Sequence, residues 1–204
     1  MPDRPLVIAH RGASWERPEN TLPAFERAIE LGADYVEFDV RAAPDGSLVV
    51  SHSRVSCQTP DMPTLDEVLG ACRGRIGLAV EIKEARVTER TLDALEAHGV
   101  DDSSVIVVSF LPRVVMATRR RRPEIRTVQH VDYFPIRAAA RIAWAAGIRE
   151  GRAADGAIAA AHDAGLATTV YTVNEPARMR ELAALGVAGI FTDRPDVLIA
   201  ELAG

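Results

Sequence analysis

Cysteine is scarce in this chain, with only Cys57 and Cys72 among 204 residues. Two thiols build neither a disulfide framework nor a cysteine-rich zinc centre, and they suit a reducing compartment. Long apolar runs are missing too. The first, Leu6-Val7-Ile8-Ala9, meets His10 at once. It is too short for a signal-peptide core or a membrane span, so a cytoplasmic protein without a stable membrane anchor is expected. Positive charge is in deficit, with 24 Lys and Arg against 29 Asp and Glu and a formal net charge of -5. That balance argues against a broad nucleic-acid surface. Part of it reads as carboxylates placed for a metal ion. No linker, low-complexity tail or repeat longer than a strand-helix unit interrupts residues 1–204. They are read as a single domain, long enough to bury a full core.

What is present is an alternation of short apolar runs with longer stretches of helical period. Residues 6–9, 35–40, 78–82, 105–109, 125–129, 167–171 and 189–191 read as strands. Residues 48–52 read as a strand returning from the Pro44-Asp45-Gly46 turn. Helices are expected over 21–31, 65–72, 87–98, 112–122, 135–146, 155–164, 176–185 and 195–202. Asn20 and Thr64 stand where helix caps belong, and Gly32, Gly99, Gly165 and Gly186 where helices stop. Such alternation implies parallel strands joined by right-handed crossovers. Seven strand-helix units are clear, and an eighth strand that closes an α/β (β/α)8 barrel is expected near 148–152. The barrel is preferred to an open doubly wound sheet because the polar clusters fall at or just after C-terminal strand ends.

Those clusters crowd the first third of the chain. Glu37 and Asp39 flank Phe38 in Tyr-Val-Glu-Phe-Asp-Val. Residues spaced i, i+2 on a strand share a face, so one face is acidic and the other, with Val36, Phe38 and Val40, apolar. Glu81 ends a later strand and adds a third oxygen donor. Three carboxylates without cysteine favour Mg²⁺ or Ca²⁺ over zinc; a structural charge network is the alternative. His10 and His52 end two strand runs and can serve as acid and base. Arg11 suits a phosphate, Gly12 permits close backbone approach, and Lys83, two residues beyond Glu81, shares its face or pairs with one of the carboxylates. Glu19 and Asn20 read as helix-start residues, with Glu19 also placed for the metal or its surroundings.

His10-Arg11-Gly12, Pro18-Glu19-Asn20-Thr21, the run from Gly32 to Val40, Asp45-Gly46, His52, Glu81-Ile82-Lys83, Thr172-Val173-Asn174 and Thr192-Asp193-Arg194-Pro195 follow one another in order. In this the chain resembles the glycerophosphodiester phosphodiesterase family. The resemblance implies a (β/α)8 TIM barrel of the phospholipase-C-like phosphodiesterase type. It implies metal-dependent hydrolysis of a small-molecule glycerophosphodiester to an alcohol and sn-glycerol 3-phosphate. Glu37, Asp39 and Glu81 are then metal ligands, with Glu19 as a further candidate. His10 and His52 become the acid/base pair, and Arg11, Lys83, Tyr171 and Asn174 hold substrate.

Two departures stand out. Ser53 follows His52 where the family usually has Asp, and only residues 53–63 separate His52 from Thr64 where the family inserts a small subdomain. A lyase that stops at a cyclic phosphate and a catalytically weak phosphate-binding module are the alternative readings. Elsewhere the plainer reading wins. Arg119–Arg122 reads as a solvated helix end favoured by the dipole, His98 as a cap and His162 as a surface residue. Asp193 reads as the cap of the last helix. His130 follows a strand and is placed to line a pocket.

Overall fold

Period-two patterning is what builds the fold. The structure, a computed structural model, describes residues 4–56 and 62–203; Cys57 lies outside them. The chain runs β1 (Leu6–Ala9), α1 (Leu22–Leu31), β2 (Tyr35–Ala42), β3 (Leu48–Val50), α2 (Leu65–Cys72) and β4 (Gly77–Ile82). It continues α3 (Thr88–Ala97), β5 (Val105–Ser109), α4 (Pro112–Arg121), β6 (Arg126–His130) and α5 (Ile136–Ala139). It ends β7 (Ala145–Arg149), α6 (Asp155–Asp163), β8 (Ala167–Tyr171), α7 (Pro176–Ala184), β9 (Gly189–Thr192) and α8 (Pro195–Ala203).

Eight of the nine strands are parallel neighbours in the order β1-β9-β8-β7-β6-β5-β4-β2, and a β1–β2 pairing closes the ring. This is the expected (β/α)8 barrel. β3 lies outside the ring, antiparallel to the end of β2, with Val40 opposite Val50. Inside the ring, Ile8, Tyr35, Ala79, Ile106, Val108, Val128 and Ala145 fill the barrel. The alternate residues Val36, Phe38, Val40, Leu78, Val80 and Ile82 face outward against the helices. Each such fully buried side chain contributes roughly 1.5–3 kcal/mol. Tyr35, Glu37 and Asp39 therefore share the inner face, and Glu81 follows Ala79 onto it.

Two expected elements differ. The helix expected over 135–146 is a single turn, α5, and the eighth strand is Ala145–Arg149 rather than 148–152. Alanine favours helix locally, but this strand must be small. A Cβ on Gly147 would stand 2.3 Å from His130 Nδ1 on the neighbouring strand. Tertiary packing overrides propensity here. The strand expected over 48–52 stops at Val50, which leaves His52 on the loop beyond it. Thr64 caps α2 with a capping box to Glu67, as expected. Thr21, rather than Asn20, caps α1.

Cys72 is buried, and burial pushes its thiol up to about 11, so it is packing rather than a nucleophile. The Arg119–Arg122 run lies at the C-terminal end of α4, away from the barrel mouth. Arg121 pairs there with Glu89, Asp93 and Glu96 of α3. Among the described residues, no helix is long and apolar enough to cross a membrane.

Gly12 is the one glycine on which the first βα turn depends. Its φ of +86° is left-handed, and a Cβ there would meet Ala24 backbone and side chain at 2.7 Å. Gly12→Ala is expected to cost about 2–4 kcal/mol, read as a lower urea midpoint at unchanged slope; an unchanged midpoint contradicts this account.

Candidate active site

Every site residue expected from the sequence except Glu19 and Asn174 lies around one cavity of about 370 Å³ at the C-terminal mouth of the barrel, or in the carboxylate triad at its floor. His10 follows β1, Lys83 follows β4, His130 ends β6, Arg149 ends β7 and Tyr171 ends β8. His52 reaches the same mouth from the loop after β3. That loop is anchored where Ser51 N–H donates to the Asp39 carbonyl (2.9 Å) and Arg41 Nε to the His52 carbonyl (3.0 Å).

At the cavity floor, Glu37, Asp39 and Glu81 are buried, and each offers an oxygen within 4.8 Å of the others. β2–β4 register sets this geometry, with Asp39 directly opposite Glu81. Glu37 Oε2 accepts from Arg11 N–H at 2.9 Å, whereas Oε1 is buried with no hydrogen-bond partner. Burial, and then the neighbouring Asp39 and Glu81, push the Glu37 carboxyl well above its usual range. Glu81 is also raised, by burial and Asp39, against the pull of Lys83. Asp39 goes the other way. Burial would raise it, but Lys83, Asn20 and Arg11 together bring it below the ordinary value. A buried like-charged cluster with an orphaned oxygen and an all-oxygen donor set fits a hard divalent cation.

Asn20 belongs to this floor. Its Nδ2 donates to Asp39 Oδ2 (2.9 Å), and Asp39 N–H donates back to its Oδ1 (3.3 Å). Both Arg11 and Asn20 hold left-handed backbone, at φ 56° and 58°, conformations that non-glycine residues adopt mainly where the surroundings enforce them. Lys83, the only lysine of the chain, lies 2.7 Å from Glu81 and 3.0 Å from Asp39. Arg11 lies 3.4 Å from Asp39 and 2.7 Å from Glu19. Glu19 thus stands apart from the triad, largely exposed, and holds Arg11.

The two histidines differ in their support. His10 Nδ1 is 2.7 Å from Asp193 Oδ1, which also accepts from Ser14 Oγ at 2.9 Å. Asn174 Nδ2 donates to Asp193 Oδ2 (2.7 Å), and Asn174 Oδ1 accepts from Asp193 N–H (2.9 Å) and Thr192 Oγ1 (3.1 Å). Asn174, expected to hold substrate, is not among the residues lining the cavity, and its amide bonds to Asp193. Asp193, expected as a cap, supports His10. Burial would raise its carboxyl, but the bonds from His10, Asn174 and Ser14 bring it down to about 2. An ionised Asp193 accepts from Nδ1–H and leaves Nε2 for the cavity. His52 is exposed, and its ring has no hydrogen bond among the described residues. Partial burial, with Arg11 and Lys83 nearby, lowers its pKa.

The same cavity carries an aromatic wall. Phe110, Tyr171 and Phe191 line the cavity, and the His130 ring packs in tilted contact, 4.3 Å from Phe110 and 4.1 Å from Tyr171. His130 is buried, and burial with Lys83 nearby lowers it to about 3, so it stays neutral. Arg149 lies over the Tyr171 ring at 5.8 Å and is held by Asp132. Phe110, Arg149 and Phe191 were not singled out in the sequence. Their place immediately at or after barrel strands is the signal that marks them.

The fold and site together define a (β/α)8 barrel hydrolase with an acidic centre, two imidazoles and cations at its mouth. The sequence profile of the Glycerophosphoryl diester phosphodiesterase family matches residues 10–93 and 78–197. A glycerophosphodiester phosphodiesterase of Bacillus subtilis (strain 168) is 26% identical, over 96% of this chain and 86% of that protein. Among solved structures, a glycerophosphodiester phosphodiesterase from Agrobacterium tumefaciens str. C58 is 28% identical with a TM-score of 0.78, covering 96% of this chain and 99% of that one. An Oleispira antarctica phosphodiesterase in complex with the product sn-glycerol-3-phosphate shares the fold, with a TM-score of 0.84, 22% identity and 98% of each chain covered. The chain belongs to the glycerophosphoryl diester phosphodiesterase family and is a phosphoric diester hydrolase of it.

Two stability measurements test this geometry. Glu37 is raised in the folded state, so its ionised form costs stability, increasingly as pH rises above the ordinary value of 4.5. Glu37→Gln is expected to stabilise the metal-free protein by about 1 kcal/mol or more near pH 8, and by little near pH 4.5. The same variant should lose the thermal shift that Mg²⁺ or Ca²⁺ gives the parent. A destabilised variant with an undiminished shift contradicts the assignment. Asp193 is depressed, so its contribution is present above the ordinary value of 3.8 and lost as pH falls toward about 2. After allowance for solvent screening this is on the order of 1 kcal/mol. Asp193→Asn should be destabilised by that amount at pH 6 and approach the parent below pH 3; a constant difference across that range argues against the ionised pair.

Proposed function

We propose that the protein hydrolyses glycerophosphodiesters to an alcohol and sn-glycerol 3-phosphate, using a divalent cation held by Glu37, Asp39 and Glu81 and proton exchange through His10 and His52. The observation that carries this reading is the orphaned, buried Glu37 oxygen within a carboxylate triad at the cavity that both imidazoles line. The oxygen-only donor set points to Mg²⁺ or Ca²⁺. When bound, such an ion neutralises phosphoryl charge and offsets the mutual repulsion of the triad.

Arg11 and Lys83 hold the phosphoryl oxygens from one side, and the faces of Tyr171, Phe110 and Phe191 receive the carbon skeleton of the glycerol from the other. Exposed His52, its pKa lowered, is neutral at pH 7 and takes the proton of the attacking water. As the new P–O bond forms, the P–O bond to the alcohol breaks. His10 gives its Nε2 proton to the leaving oxygen, and ionised Asp193 provides the countercharge to the imidazolium. Neutral His130 packs Tyr171 and Phe110 in place rather than moving protons. Product formation as sn-glycerol 3-phosphate accords with the product found in the Oleispira antarctica relative.

His10→Ala and His52→Ala should each lower kcat by about 10²–10⁴ on a glycerophosphodiester panel. Phosphorus NMR should show a phosphomonoester as the end product. Full activity in both variants, or a cyclic phosphate as the end product, overturns the mechanism.

A further inference from the structure

Beside the catalytic cavity lies a second one, of about 440 Å³, and Lys83 lines both. Its other walls come from β2 and from the turns beyond β3 and β4. Arg41 stands two residues beyond Asp39 on β2, as Lys83 stands two beyond Glu81, so both rise from the acidic floor on the inward strand faces. Arg54 enters from the loop after β3 and Arg86 from the short 3-10 turn Ala85–Val87. Val55 supplies an apolar side.

Charge in this second cavity is one-sided. Among the described residues that line it, three guanidiniums face a single carboxylate, Glu84. Arg86 Nε lies 2.7 Å from Glu84 and Arg41 Nη1 lies 3.4 Å from it. Glu84 therefore neutralises at most one of the three, and Arg54 makes no ion pair among the described residues. Arg86 is 70% exposed at its side chain, so its charge is presented to the opening. Guanidinium groups converging on one space suit a phosphate or carboxylate and disfavour an ammonium.

A phosphodiester has two arms. With its phosphoryl group beside Lys83, one arm meets the aromatic wall of the first cavity, and the other passes Lys83 into the second. We propose that the second cavity is the subsite for the alcohol arm and that it selects arms carrying an additional phosphate or carboxylate group. This rests on the glycerophosphodiester reading above. Arms ending in a quaternary ammonium are the disfavoured class, and neutral polyols are intermediate.

The test compares glycerophosphoinositol 4-phosphate with glycerophosphoinositol, glycerophosphoglycerol and glycerophosphocholine, in the parent and in the R54E/R86E double variant. Neither arginine belongs to the catalytic machinery. In the parent, kcat/KM for the phosphorylated arm should exceed that of its unphosphorylated counterpart by about ten-fold or more, and the advantage should shrink with added salt. The double variant should erase it while leaving glycerophosphoglycerol within about two-fold of the parent. Equal kcat/KM for both inositol substrates in the parent, or an advantage that survives in the double variant, overturns the proposal. Calorimetric binding of glycerophosphoinositol 4-phosphate separates the two readings. If no diester is turned over but binding still depends on Arg54 and Arg86, the subsite stands and the reaction falls. Binding that ignores the double variant removes the subsite whatever the turnover.

Discussion

Three carboxylates crowded into the dry floor of a barrel repel one another, and much of the surrounding structure answers that repulsion. Strand register brings Asp39 opposite Glu81, and the period of two adds Glu37 on the same inner face. The neighbours supply compensation unevenly. Asp39 takes Asn20, Lys83 and Arg11, whereas Glu37 keeps one oxygen with no partner. Left-handed backbone at Arg11 and Asn20 brings an amide and a carboxamide to bear on the acids. A site so arranged is costly as a structural network, because buried charge without full pairing is unfavourable. It is economical as a cation site, where the same repulsion becomes affinity.

Around that floor the two imidazoles are held in different ways. His10 is tied into a chain of bonds running through Asp193 to Asn174 and Thr192. Among the described residues, His52 is positioned through its backbone, by Arg41 and by the Ser51–Asp39 bond. One ring is oriented and supplied with countercharge; the other is free to meet solvent. Lys83 lines both the aromatic-walled cavity and the arginine-lined one, so the two spaces share one cation.

The barrel was legible because its pattern is local. Tyr-Val-Glu-Phe-Asp-Val declares one apolar and one acidic face within six residues, and the glycines after α1, α3, α6 and α7 mark where helices stop. What escaped reading depends on contacts between distant residues. Ala145–Arg149 continues an alanine-rich stretch that favours helix, and the His130 ring on the next strand explains the glycine at 147. Asn20 looks like a cap until β2 places Asp39 beside it. Asp193 looks like a helix start until ring closure carries β9 against β1 and sets it against His10. Likewise Asn174 follows a strand, as a substrate contact would, and its amide bonds to Asp193 across the closed ring. Residue type and strand position identify the members of such a site, whereas their division of tasks is set by the closed barrel.

The most direct measurement of the central claim is glycerol 3-phosphate released from glycerophosphoglycerol by exhaustively chelated protein, before and after titration with Mg²⁺ or Ca²⁺. The account predicts near-zero turnover without the ion and saturable recovery with it, and no recovery in Asp39→Asn. Turnover that persists undiminished after chelation, or recovery that is independent of Asp39, would contradict it.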